Sequence, residues 1–266
     1  GEALSYGFLD NLGQMFGYDN AANLSYYSTQ YDYKRKEVKD VIDNIWASQY
    51  QTISYVNNII AHINSTSIKN KELDYMKGEC LGLRAFLHFD VARLFAEDYT
   101  RSTSSTRGIP YSTTFDLNNK ELLTLHKTYE AILADLNEAE TLLANDTVVN
   151  VETSPSSDYL KGRGVLFNKY AVAATKARVY YAMGNYTEAA RYAQQVLDAT
   201  SNFKLKKLSS LDDVKRYPAN GEMIFGLYND KLSSNISEMF LNATSRGNFT
   251  EARRDIEDLY DKSSLS

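Results

Sequence analysis

Between residues 36 and 63 the large apolar side chains fall at Val38, Val41, Ile42, Ile45, Trp46, Ile53, Val56, Ile60 and Ile63. Steps of three and four dominate, so these side chains line one face of a helix and do not alternate as in a half-buried strand. A stripe of this length must be buried against other helices or a sheet, which already points to a helical, layered fold. The polar cluster Asn64-Ser65-Thr66-Ser67 ends it, because short hydroxyl and amide side chains compete for the backbone.

The same period recurs. From about 70 to 96 it is carried by Cys80, Leu83, Phe86, Leu87, Val91, Leu94 and Phe95, and from about 126 to 145 by Tyr129, Ile132, Leu133, Leu136, Ala139, Leu142 and Leu143. Residues 166–200 predict two helices around Met183-Gly184-Asn185-Tyr186, with Ala177, Tyr180, Gly184, Tyr186 and Ala189 at tetratricopeptide spacing. Small residues let the paired helices approach, the glycine ends the first helix, and the tyrosines are expected to fill the gap. Only 3 prolines interrupt 266 residues, which permits long helices. Residues 1–34 read as a long loop after a short helix, 98–120 and 146–163 as polar loops, and Met223-Ile224-Phe225 with Leu227 and Tyr228 as a short strand or buried extended segment. The expected fold class is therefore mainly α, with tetratricopeptide-like helix pairs and long loops.

Composition excludes several functions. The formal net charge is −5 and no dense basic run occurs, against nucleic-acid binding, which needs clustered cations. No apolar run approaches the roughly 20 residues of a membrane-spanning helix. The chain opens on Gly1, which suggests a processed or engineered start and leaves export open. Its single cysteine, Cys80, forms no internal disulfide; it lies on an apolar helical stripe and reads as packing. His62, His88 and His126 have no second ligand three or four residues away, so no metal site is expected. No nucleophile elbow, phosphate loop or dinucleotide fingerprint is present, and no spacing selects a glycosidase carboxylate pair, so neither catalytic residues nor a cofactor are assigned.

The chain holds 21 tyrosines. Tyr18, Tyr26, Tyr27, Tyr31 and Tyr33 crowd one short stretch, interleaved with Asp19, Asn20, Asn23, Gln30 and Asp32. Sugars stack their apolar faces on aromatic rings while amides and carboxylates bond the hydroxyls. The plainer reading is that these tyrosines pack on the helices beneath.

Four segments then carry a family resemblance. They are Trp46-x3-Tyr50-x2-Ile53-x3-Asn57, Gly78-Glu79-Cys80-Leu81-Gly82-Leu83-Arg84-Ala85-Phe86-x2-Phe89-Asp90, Gly108-Ile109-Pro110, and Tyr129-x2-Ile132-x2-Asp135-Leu136-x2-Ala139. With the helix pair at 166–200 and Glu222-Met223-Ile224-Phe225 following in order, the chain resembles the SusD/RagB family of Bacteroidetes outer-membrane lipoproteins.

The resemblance implies one SusD-like domain over residues 1–266, a non-catalytic glycan-binding role at the cell surface in the outer membrane, and a SusC-like TonB-dependent transporter as partner. It also implies peripheral attachment through an N-terminal lipid. The lipid-accepting cysteine is not found here, and Cys80, in mid-helix, does not serve. Members run to roughly twice this length, so a short or truncated member is expected. Residues 18–33 become the candidate ligand loop, with Trp46 and Tyr50 as outlying candidates. The signature residues Gly78, Glu79, Arg84, Phe86, Phe89 and Asp90 are read as structural, because buried charges must be paired. Trp46 and Asn57 also admit a structural reading. The alternatives are a tetratricopeptide-type scaffold for a protein partner and a glycoside hydrolase.

Overall fold

The computed structural model describes residues 2–5, 7–17, 24–146, 159, 163–203, 222–227, 229–237 and 250–252. The chain divides into two compact units, Gly1–Ser48 with Tyr228–Ser266, and Gln49–Leu227.

In the first unit, helices α1 (Glu2–Ser5) and α2 (Phe8–Leu12) lie where a short helix is expected, and α3 (Leu24–Thr29) forms within the loop expected after it. Strand β1 (Phe16–Gly17) pairs antiparallel with β4 (Thr250–Ala252). Helix α4 (Lys36–Ser65) then runs for 30 residues across the boundary between the units. Val38, Ile45, Ile53, Val56 and Ile60 are buried along it, while Tyr55 and Ile59 lie on its exposed side.

The second unit is built around α5 (Lys71–Phe95), which packs on α6 (Leu125–Leu142), α7 (Lys169–Ala182) and strand β2 (Arg107–Pro110). Its middle is covered on several sides, so buried residues run almost continuously from Gly78 to Ala92 and do not form the single stripe that the periodicity predicts. Leu94, placed on that stripe by its spacing, is 38% exposed. On α6 the buried face is Leu125, Tyr129, Ile132, Leu136 and Ala139. Four of the helices start where a short polar side chain satisfies a free backbone amide. Asn70 accepts from the Leu73 amide, Thr124 from Lys127, Asn168 from Tyr170 and Ala171, and Asn185 from Glu188.

The stretch 98–120 is not all loop. Its Gly108-Ile109-Pro110 segment forms β2, paired antiparallel with β3 (Leu122–Thr124), and Thr124 closes the strand while capping α6. The predicted helix pair is α7 with α8 (Tyr186–Leu197), joined at Gly184 with φ +75°. Tyr180 stacks on Tyr192 at 5.7 Å between the two helices. Tyr186 does not fill that gap; it is 61% exposed and meets Tyr181 edge-on at 5.4 Å. Tyr192, a helical turn past Ala189, does the filling because it faces α7. Residues 222–227 form no strand, but Phe225 lodges between Phe86 and Phe167 at 6.2 and 5.1 Å.

Candidate functional site

The tyrosine cluster of the first unit is held by backbone geometry. Helix α3 ends in a tight turn in which the Tyr31 amide bonds the Ser28 carbonyl, the Asp32 amide that of Tyr27, and the Tyr33 amide that of Tyr31. Tyr31 adopts φ +54°, a left-handed conformation that side chains seldom take and that persists only where surroundings hold it. Its hydroxyl donates to the Leu12 carbonyl at 3.0 Å, and Gln14 donates to the Thr29 carbonyl at 3.3 Å. Tyr31 and Tyr33 are 48% and 49% exposed, with ring centroids 6.5 Å apart and planes 40° from parallel.

Tyr26 and Tyr27, on α3, are half-buried and meet edge-to-face at 6.0 Å. The Arg35 guanidinium lies 4.4 Å from the Tyr27 ring centre, and its Nε donates to Asp32 at 3.2 Å. Four of the expected site residues are thus brought together: Tyr26, Tyr27, Tyr31 and Tyr33. The result is two exposed aromatic faces beside a carboxylate and a guanidinium, chemistry that suits a polar ring-shaped ligand. Tyr18, Asp19 and Asn20 lie outside the described residues. Trp46 is half-buried on α4.

Tyr50 belongs to the second unit, and its environment is different. Its hydroxyl donates to the Pro110 carbonyl at 2.7 Å and its ring meets His88 edge-on at 6.0 Å. Burial pushes its pKa up from the ordinary tyrosine value.

The signature residues of α5 tie helices together. Arg84 donates to both oxygens of Asp135 at 2.7 Å, and its Nη1 donates to Asn57 Oδ1 at 3.0 Å. Tyr111 donates to the same Asp135 at 2.6 Å, and the Asn57 amide donates to the Ser112 carbonyl at 3.0 Å. Glu79 pairs with the fully buried Arg163, which also holds the buried Asp146. Asp90 lies 3.5 Å from Arg93 and 3.7 Å from Arg178. Burial raises the Asp90 pKa, and the two guanidiniums oppose that rise. Gly78 abuts α6 so closely that a methyl there would stand 2.8 Å from Leu143 Cγ. Phe86 meets Phe167 edge-on at 6.1 Å, and Phe89 meets Tyr129 at 6.0 Å.

A concavity of about 730 Å³ lies among α5, α7 and α8. It is lined by five alanines of α7 and α8, by Tyr181 and Tyr186, and by Phe89, Arg93 and Arg178. The repeat pattern in the sequence includes Tyr186 and does not single out Tyr181. No spacing signals that Tyr181 and Tyr186 point outward, since that depends on where α5 and α6 lie. Among the described residues no group of three His, Cys, Asp or Glu side chains could hold a metal ion, and no helix is long and apolar enough to cross a membrane.

Residues 5–181 match the model of a SusD-like family described as starch-binding and associating with the outer membrane. The chain belongs to this family. A SusD superfamily protein of Bacteroides thetaiotaomicron is 26% identical, with a TM-score of 0.56 over 70% of this chain and 39% of its own length. A SusD-like carbohydrate-binding protein of Bacteroides vulgatus, 17% identical, shares the fold over 97% of this chain and 53% of its own, with a TM-score of 0.70. A laminarin-binding SusD-like protein, 22% identical, superposes with a TM-score of 0.50 over 68% of this chain and 36% of its own. The chain thus spans about a third to a half of the length of these SusD-like structures. No curated protein matches it.

Proposed function

We propose that this SusD-like chain is a cell-surface glycan-binding protein that captures an oligo- or polysaccharide and delivers it to a SusC-like TonB-dependent transporter. The exposed Tyr31–Tyr33 pair carries the reading. Two aromatic faces 6.5 Å apart, on a turn braced to Leu12, present a stacking surface whose shape is set before a ligand arrives. Asp32 and Arg35 beside them supply groups for sugar hydroxyls.

Membership in a starch-binding, outer-membrane-associating family supports a carbohydrate ligand and an outer-membrane location. A fold relative named for laminarin binding supports a glucan among the first sugars to try. The protein acts by binding alone, with no bond made or broken, from the outer face of the membrane where an N-terminal lipid holds it. Tyr26 and Tyr27 support the platform from α3, and Trp46 stays a candidate contact on α4. Tyr50 is assigned to joining α4 and β2.

The test is incubation of the purified chain with laminarin and starch oligosaccharides, reading bound sugar by affinity electrophoresis and reducing ends over time. Retarded migration without new reducing ends is expected. Reducing ends that accumulate with enzyme-like turnover would show a hydrolase and defeat the proposal.

A further inference from the structure

Among the described residues, two that are not glycine adopt a positive φ: Gln14 and Tyr31, both at +54°. They occupy the same position of the same motif. After α2 the Gln14 amide bonds the Asn11 carbonyl and the Met15 amide that of Asp10. After α3 the Tyr31 amide bonds the Ser28 carbonyl and the Asp32 amide that of Tyr27. Each pair of bonds is a Schellman ending, whose left-handed residue is usually glycine because a Cβ there crowds the backbone.

The side chains at these two positions cross to the opposite helix. The Tyr31 hydroxyl donates to the carbonyl of Leu12, the last residue of α2, at 3.0 Å. Gln14 Nε2 donates to the carbonyl of Thr29, the last residue of α3, at 3.3 Å. Two glycines would end both helices with less strain and would make neither bond. Stability does not account for the choice, since water competes for the same groups at a surface and a hydrogen bond there adds little. What the crossed bonds fix is the place of an exposed ring. With its hydroxyl held on α2, Tyr31 keeps a ring face for a ligand, 6.5 Å from the Tyr33 ring. Left-handed residues that are not glycine concentrate where geometry serves a ligand.

We infer that Gln14 is the positioning residue of the Tyr31–Tyr33 platform: by tying the end of α3 to the end of α2, it sets the Tyr31 ring in place before a sugar arrives. Gln14 acts through Tyr31. The inference rests on the glycan reading of that platform.

The experiment pairs calorimetric titration with laminarin oligosaccharides and fluorine NMR of the full chain carrying 3-fluorotyrosine at position 31. Gln14→Gly removes the side-chain amide yet takes the left-handed backbone without strain, so it should melt at or above the parent temperature. Its laminarin affinity should still fall about fivefold, as for a platform correctly placed a fifth of the time. Its position-31 resonance should shift or broaden without any sugar. Gln14→Glu, of the same length with no N–H to give, should lose affinity alike. Gln14→Lys keeps a donor and should stay within about twofold of the parent. Ala190→Trp, at an exposed position on α8 in the second unit, is the control and should match the parent. Parent-like affinity in Gln14→Gly, an unmoved position-31 resonance, or an affinity loss that comes with a lower melting temperature would overturn the inference. A parent chain that binds no glycan, with the resonance moved in Gln14→Gly, would count against the proposed function and leave the positioning role of Gln14 standing.

Discussion

His88 has no exposed surface, yet it makes two hydrogen bonds. Nδ1 donates to the Arg84 carbonyl at 2.8 Å and Nε2 accepts from the Ser112 amide at 3.0 Å, so one neutral tautomer fits. Its ring stacks on Tyr111 at 3.9 Å. Burial, with the nearby Arg84 charge, pushes its pKa from 6.5 down to about 3. The unfolded chain therefore takes up a proton below about pH 6.5 while the folded chain does not until about pH 3, so stability falls as pH drops through that window. Denaturant titrations at pH 7 and pH 4.5 should show a loss of roughly 1 kcal/mol per pH unit, and His88→Phe should lack this component. The neighbouring Arg84–Asp135 pair makes a second prediction. Asp135→Ala strands a buried guanidinium and should cost about 3–5 kcal/mol by the same titration. That Arg84 would be paired was legible from a charge on a largely apolar helix. Its partner was not, because Asp135 lies 51 positions away and only the packing of α5 on α6 brings them together. The role of His88 was equally hidden, since a lone histidine on a helix carries no signal of what its two nitrogens meet.

At the scale of elements, period and caps did most of the work. The spans of α4 to α8 follow from apolar spacing broken by Asn, Ser, Thr and Gly, and four of these five helices start at an Asn or Thr cap. Two features escaped. β2 and β3 are short strands whose pairing comes from tertiary approach, and a four-residue strand containing proline has no period to read. The turn between α7 and α8 was legible as a turn, but the side each tyrosine faces depends on where α5 and α6 lie. Gly184 sits at φ +75°, so Gly184→Ala should cost about 1–2 kcal/mol through left-handed strain, seen as a lower melting temperature. Gly82→Ala should destabilise by a similar 1–3 kcal/mol for another reason: its methyl would stand 2.6 Å from Phe167 Cδ1, and that ring is buried. Gly82→Ala combined with Phe167→Leu should recover part of the loss, since shortening the ring opens the space.

For the molecule as a whole, membership in the SusD-like family follows from the order of several weak motifs, each of which is mostly helix packing. The family model matches residues 5–181, a range that contains the four segments between Trp46 and Ala139 but not Glu222 to Phe225. The ligand surface is a different kind of property. Tyr31 takes a left-handed conformation and bonds the Leu12 carbonyl, which makes the exposed Tyr31–Tyr33 pair the proposed platform, and composition says only that tyrosines are plentiful. Calorimetric titration of the chain with laminarin and starch oligosaccharides tests capture at that platform. Saturable binding is expected, weakened at least tenfold (about 1.4 kcal/mol) in Tyr31→Ala/Tyr33→Ala and unchanged in Ala190→Trp. Saturable binding that survives the double tyrosine variant, or no binding to any glycan by a chain that melts cooperatively, would contradict it.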